Sequence, residues 1–337
     1  MMNKSTNILL SMILITSVPI SISSNSWFIV WMGMEINIMS FLPMIMEQKN
    51  LISKESALTY FMVQTIASMI MIMSVMMMML NIDMNNMKKM GEFMLMSSLM
   101  MKSGVTPFHF WMPKMMEGLN WNKCLILMTW QKIMPFMMMS NIIKMNLMTL
   151  SAMMLSIIIG AIGGLNQTSL RKLMAYSSIT NNGWMMMAMM ISEMMWILYF
   201  MMYSIMTMIM TKTMYSYNNY HMNQIISMNE TTTKKFFLMM NMLSISGLPP
   251  MMGFMPKWLV IQSTMLEKEF LMMSVMLMMT LITIYYYMRI MFTIMMLSNY
   301  EMKWNNKNKN KNNKMILMMN YMSIMGLMII TMIMNIY

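Results

Sequence analysis

Long apolar runs follow one another along nearly the whole chain, separated by short polar stretches. A helix that crosses the hydrocarbon core of a bilayer needs about 20 apolar residues. Such runs fall roughly at 6–24, 27–46, 56–80, 91–119, 124–144, 147–166, 173–191, 194–212, 236–267, 270–297 and 315–336, which predicts about eleven spans. Only 10% of the residues are charged and 58% are hydrophobic, whereas a soluble domain carries about 25% charge. A soluble core with so apolar an exterior would aggregate. The expected fold class is therefore all-α, a polytopic integral membrane protein with one membrane domain over 1–337.

The net charge of +12 would suit nucleic acid if it formed one stripe. Instead the basic residues sit in clusters between apolar runs: Lys49 and Lys54, Lys88 and Lys89, Arg171 and Lys172, Lys234 and Lys235, and Lys303 to Lys314. Because nearly every loop carries lysine, the positive-inside rule leaves orientation open. The lone Cys124 excludes an internal disulfide and a cysteine-only zinc or iron–sulfur site, and two histidines are too few for a haem pair. No glycine-rich nucleotide motif occurs.

Methionine reaches 76 residues. A copper-binding array would confine it to one face at a fixed period; here it fills every span, as a flexible replacement for Leu and Ile. This usage, with abundant Ile, Asn and Lys, fits an AT-rich genome and an organellar code. Lys4 before the run 8–22 has the look of a signal peptide, but a second span follows at once, so a retained first helix is expected. No Arg/Ser-rich presequence occurs, so an organellar chain of this kind need not have been imported. The stretch 299–314 reads as a solvated Asn/Lys loop.

Two spans are interrupted. One break lies in 100–118, with Gly104, Pro107 and Pro113; the other lies in 241–258, with Gly247, Pro249, Pro250, Gly253 and Pro256. Interior proline removes a backbone donor and clashes with the preceding turn. In lipid such a break is tolerated where it faces protein or a water-filled cavity. A pair of interrupted spans points to an inverted-repeat transporter with its ion path at mid-membrane; independent packing kinks are the plainer reading.

Four charges stand out inside spans: Glu35, Lys102, Lys132 and Lys257. Each costs about 2.5–3.5 kcal/mol at the bilayer centre on insertion scales. Snorkelling to the headgroups, or a Glu–Lys clamp between helices, would be structural explanations. The functional one is a proton relay, because burial and a movable carboxylate tune a lysine as they cannot tune an arginine. His109 either extends such a chain or packs the broken helix. Lys114, Glu117 and Lys123 read as interfacial, Glu193 as a helix N-terminal carboxylate, and Arg289 as a headgroup contact.

The runs WMGMEIN, MMKSGVTPFHFWMPKMMEGL, LMTWQKIMP, IGGLNQTSLRKLMAYSSI…GW and SGLPPMMGFMPKWLVIQ occur in this order. They resemble the chain 2 family of mitochondrial NADH–ubiquinone oxidoreductase, among the antiporter-like, proton-translocating subunits of respiratory complex I. The resemblance covers essentially the whole chain, and the methionine excess looks like an arthropod member. It implies antiporter-like inverted repeats with two broken helices: a first repeat over roughly 27–144, a second over roughly 147–297, and a C-terminal helix at 315–336. It also implies that Glu35 pairs with Lys102 on the first broken helix, that Lys132 is the central relay lysine, and that Lys257 on the second broken helix leads toward the exit. No cofactor is expected on this chain, since the resemblance assigns NADH, FMN, iron–sulfur clusters and ubiquinone to other subunits. The implied partners are the other membrane-arm and accessory subunits and phospholipids such as cardiolipin, not nucleic acid, in the mitochondrial inner membrane. A free-standing cation/proton antiporter and a scaffold subunit that moves no proton are the alternatives.

Overall fold

The computed structural model describes residues 4–47, 50–79, 85–228 and 232–297, together with 318, 320, 321, 323, 324 and 326. The described residues form α-helices and turns, with an isolated antiparallel bridge between Ser169 and His221. Among them, six helices are long and apolar enough to cross a membrane: Ser5–Ile22, Trp27–Ile45, Leu51–Met79, Leu147–Gly164, Glu193–Tyr217 and Phe270–Met296. The loop expected at 299–314 and most of the span expected at 315–336 lie outside the described residues.

The chain divides into two compact units, Met1–Ala152 and Met153–Tyr337. The first holds α1 (Lys4–Ile22), α2 (Trp27–Ile45), α3 (Leu51–Met79), α4 (Asn85–Ser103), α5 (Trp111–Gly118), α6 (Trp121–Met128) and α7 (Trp130–Ser140). Helix α8 (Leu147–Gly164) contains the division. The second holds α9 (Leu170–Ile191), α10 (Glu193–Tyr217), α11 (Met222–Ile226), α12 (Thr232–Ser246), α13 (Phe254–Leu266) and α14 (Phe270–Leu297).

Helix α3 shows why these elements belong in lipid. Its buried face is Ser53, Ser56, Ala57, Tyr60, Gln64, Ala67, Ser68, Met71 and Ser74, at the three- and four-residue spacing of one helix side. The opposite face exposes Leu58, Met62, Ile66, Met69, Met73 and Met76. A soluble helix would be patterned the other way round; small and polar residues inside with apolar residues outside is the membrane arrangement.

The interrupted runs fold as the prolines and glycines predict, each as two helices. The run at 91–119 becomes α4 and α5, and that at 236–267 becomes α12 and α13. Both first halves end in the same cap. Gly104 at φ 73° donates to Met101 O, and Val105 donates to Met100 O. Gly247 at φ 83° donates to Ser244 O, and Leu248 donates to Leu243 O. This is a Schellman cap, whose left-handed position suits glycine because it has no Cβ.

The matching caps bring two short stretches into register. Ser103-Gly104, Pro107 and Met112-Pro113-Lys114 stand in register with Ser246-Gly247, Pro250 and Met255-Pro256-Lys257. The register partner of Lys257 is thus Lys114, which is exposed, and that of Lys102 is Ile245. Lys102 and Lys257 therefore occupy different positions about their breaks, before the first and after the second.

A further interruption lies outside the two breaks expected from the sequence. The run at 124–144 is divided at Thr129 into α6 and α7. The Thr129 hydroxyl donates back to Leu125 O at 2.8 Å, a bond that bends helices, and Pro135 in α7 has no N–H for the turn before it.

Candidate functional site

The first unit gathers three of the four in-span charges, of which Lys102 and Lys132 are buried and Glu35 is half-buried. Lys102 lies in the last turn of α4, Lys132 lies in the first turn of α7 just past the Thr129 bend, and Glu35 lies midway along α2. Lys102 and Lys132 are 6% and 2% exposed, which removes snorkelling as an explanation for either.

Both lysines line one cavity, with Asn37, Tyr60, Gln64, Ser103, Trp111 and Gln131 among its other walls. The space open to water centres is ≈ 20 Å³, above the ~10–15 Å³ that one water needs. Its polar walls form a chain: Tyr60 OH donates to Gln131 Oε1 at 3.4 Å, and Gln131 Nε2 donates to Asn37 Oδ1 at 2.7 Å. Asn37 Nδ2 reaches Met134 Sδ at 3.5 Å, and Gln64 Nε2 reaches Lys102 O at 3.5 Å. Together with Trp111 Nε1, which donates to Met101 O at 3.2 Å, Gln64 satisfies the last carbonyls of α4 with neutral donors.

Glu35 adjoins this cavity through its neighbours Met34 and Asn37, which line it. Its carboxylate interacts electrostatically with Lys102 and Tyr60. No direct ion pair joins Glu35 to Lys102: the ammonium of Lys102 turns to Met34 Sδ at 3.4 Å, and Glu35 Oε1 is buried without a hydrogen-bond partner. A thioether is a weak acceptor, and a buried acceptor left without a donor costs about 1–3 kcal/mol. The two groups are adjacent but not clasped, which leaves each free to change partners.

His109 lies in the first break, buried, with Nδ1 3.3 Å from Pro107 O and its ring 4.1 Å from that of Phe110. It is not among the residues that line the cavity of Lys102 and Lys132.

The second unit holds Lys257 alone of the four. The residue is buried in the first turn of α13 and donates to Ser246 O at 2.7 Å, with Nζ 5.8 Å from the Trp184 ring of α9. Ser246 ends α12, so the ammonium caps the negative end of a half-helix. A Cβ on Gly247 would lie 2.9 Å from Lys257 Cδ, so the glycine opens the route by which the lysine arm reaches that carbonyl.

The amides Asn37, Gln64 and Gln131 and the phenol Tyr60 are functional candidates that a search for charges passed over. Their only sequence signal is a neutral polar side chain inside an apolar run, with Asn37 two residues from Glu35 and Gln131 beside Lys132.

The family model described as "NADH:quinone oxidoreductase/Mrp antiporter, TM" matches residues 24–283. The chain is 43% identical to NADH-ubiquinone oxidoreductase chain 2 of Anopheles gambiae, over 98% of this chain and 99% of that one. It is 46% identical to the Aedes aegypti chain of the same name, with the same coverage. In fold it is similar to a chain of respiratory complex I from Thermus thermophilus with bound aureothin. That match has a TM-score of 0.80 at 17% identity and covers 96% of this chain and 77% of that chain.

Proposed function

We propose, from the premise that the chain belongs to the family of NADH-ubiquinone oxidoreductase chain 2, that it moves protons across the mitochondrial inner membrane as a core subunit of respiratory complex I. Electron transfer from NADH to ubiquinone takes place on other subunits, which hold the flavin and the iron–sulfur clusters. The chain crosses the membrane about eleven times, with its halves of broken helices completing spans. Its two repeats lie over roughly 27–144 and 147–297. Neighbouring membrane-arm subunits and phospholipids such as cardiolipin surround it.

The observation that carries this reading is the shared cavity of Lys102 and Lys132. Two ammonium groups facing one small cavity repel each other, so loading one favours release from the other. A neutral amine accepts a proton and an ammonium donates one, and the amide walls orient a water between them. Glu35, unclasped, supplies the movable negative charge: drawn toward Lys102 it favours the ammonium, and withdrawn it favours release. Lys257 serves the second unit, held at the end of α12.

Lys132→Met and Glu35→Gln, assayed in the assembled complex, test the reading. Transferring a proton through a positioned group contributes about 10²–10⁴-fold. Lys132→Met is expected to lower coupled NADH oxidation toward that range while the complex still assembles. A fully assembled Lys132→Met complex with the parent's proton-to-electron ratio and turnover would sink the proposal.

A further inference from the structure

Lys257 sits at one end of a buried polar strip in the second unit that the roles above do not use. The middle of α9 is buried and carries Ser177, Ser178, Thr180, Asn181 and Asn182. Tyrosine hydroxyls from neighbouring helices meet this strip at successive levels. Tyr199 of α10 donates to Asn181 Oδ1 at 3.0 Å. Tyr203, one turn along α10, is hydrogen-bonded to Ser178. Tyr287 of α14 donates to Met174 Sδ at 3.8 Å, beside Ser177. All three tyrosines are buried, and Tyr199 and Tyr203 lie four residues apart on one face of α10.

The strip has a direction. Lys257 faces Trp184 and Tyr287 faces Met174, ten residues apart on α9, or about 15 Å at the helical rise. That is half of the ~30 Å hydrocarbon core. Beyond Met174, α9 begins at Leu170, whose N–H donates to Tyr220 O at 3.0 Å in the loop after α10. There Arg171 stacks over the Tyr220 ring, and exposed Arg289 of α14 donates to Leu165 O. Arginines of this kind belong at a membrane–water boundary.

We propose that Tyr199, Tyr203 and Tyr287 form a proton-conducting ladder between Lys257 and the membrane face where α9 begins. The ladder deepens the relay reading of Lys257 and rests on it. A phenol hydroxyl both donates and accepts. A proton taken onto the oxygen lone pair is balanced by loss of the hydroxyl's own proton on the far side, and no charge stays behind. Ser177 and Ser178 donate to Met174 O and Ala175 O at 2.9 and 2.6 Å, which fixes their hydroxyls on α9. Helix glue needs only isolated hydrogen bonds; three hydroxyls in succession, leading from a buried lysine to a boundary, exceed that need.

The test is Tyr203→Phe and Tyr287→Phe, singly and together, in the assembled complex reconstituted into liposomes, with proton uptake and NADH oxidation by ubiquinone followed. The double variant is expected to slow both by about tenfold or more. Tyr285→Phe, exposed on the same helix, leaves both unchanged. If the double variant does not assemble, the single variants are read by their solvent deuterium isotope effect. A rise supports the ladder, and a parental value at full turnover overturns it. Lys257→Met is measured alongside. Normal pumping by Lys257→Met overturns the lysine reading and the ladder with it. An inactive Lys257→Met beside a fully active double tyrosine variant overturns the ladder alone.

Discussion

Gly247→Ala asks whether the seat of Lys257 depends on the glycine beside it. An L-residue held at φ 83° costs about 1–2 kcal/mol. The added Cβ would lie 2.9, 3.1 and 3.2 Å from Cδ, Nζ and Cε of Lys257, so the arm must leave Ser246 O. The bond it gives up, 2.7 Å long, has a charged donor and contributes about 1.5–3 kcal/mol. Gly104→Ala is the matched reference. Gly104 has φ 73° and the same cap, but a Cβ there meets only Met112 Sδ at 3.3 Å, Trp111 Cζ2 at 3.4 Å and Met112 Cβ at 3.7 Å. Both variants bear the backbone strain, and only Gly247→Ala also displaces a lysine. The difference of ~1.5–3 kcal/mol corresponds to roughly 10–150-fold in rate. Coupled turnover of the two assembled variants is the assay, and equal losses in both would refute the lysine contact as the cause.

Two further perturbations separate the cavity from the surface. Gln131→Leu removes the acceptor of Tyr60 and the donor to Asn37. It is expected to cost ~1–3 kcal/mol and to lower coupled turnover about fivefold or more, read against the parent in the same membranes. Glu47→Gln breaks the 2.6 Å pair with Lys123, whose side chains are 39% and 19% exposed. A pair this open contributes up to about 1 kcal/mol, so turnover is expected to stay at the parental rate while thermal stability falls slightly.

The apolar runs and the Gly/Pro breaks were legible because lipid imposes both: length on a span, and shelter on an irregular backbone. The bend at Thr129 was not, since threonine back-bonding depends on a rotamer and leaves no compositional mark. Glu35, Lys102, Lys132 and Lys257 stood out because a full charge inside an apolar run is costly. Asn37, Gln64 and Gln131 carry no such penalty and did not stand out, although they connect the cavity walls. The resemblance implied that Glu35 pairs with Lys102, whereas the Lys102 ammonium is turned to Met34, a matter of side-chain direction. The register of Lys257 with Lys114 was present in the letters all along. It gained meaning only when Gly104 and Gly247 proved to share one cap.

That cap makes the two lysines mechanically different. Around the end of α4, Gln64 and Trp111 donate to the carbonyls of Lys102 and Met101, so the Lys102 ammonium is not needed there. At the end of α12 the lysine is itself the fastener. A charged donor bonds roughly twice as strongly as a neutral one, so loss of the Lys257 proton would slacken the latch on α12 and its return would tighten it. In the proposed relay, protonation of Lys257 would therefore be felt by the backbone of α12, whereas protonation of Lys102 would be felt by side chains.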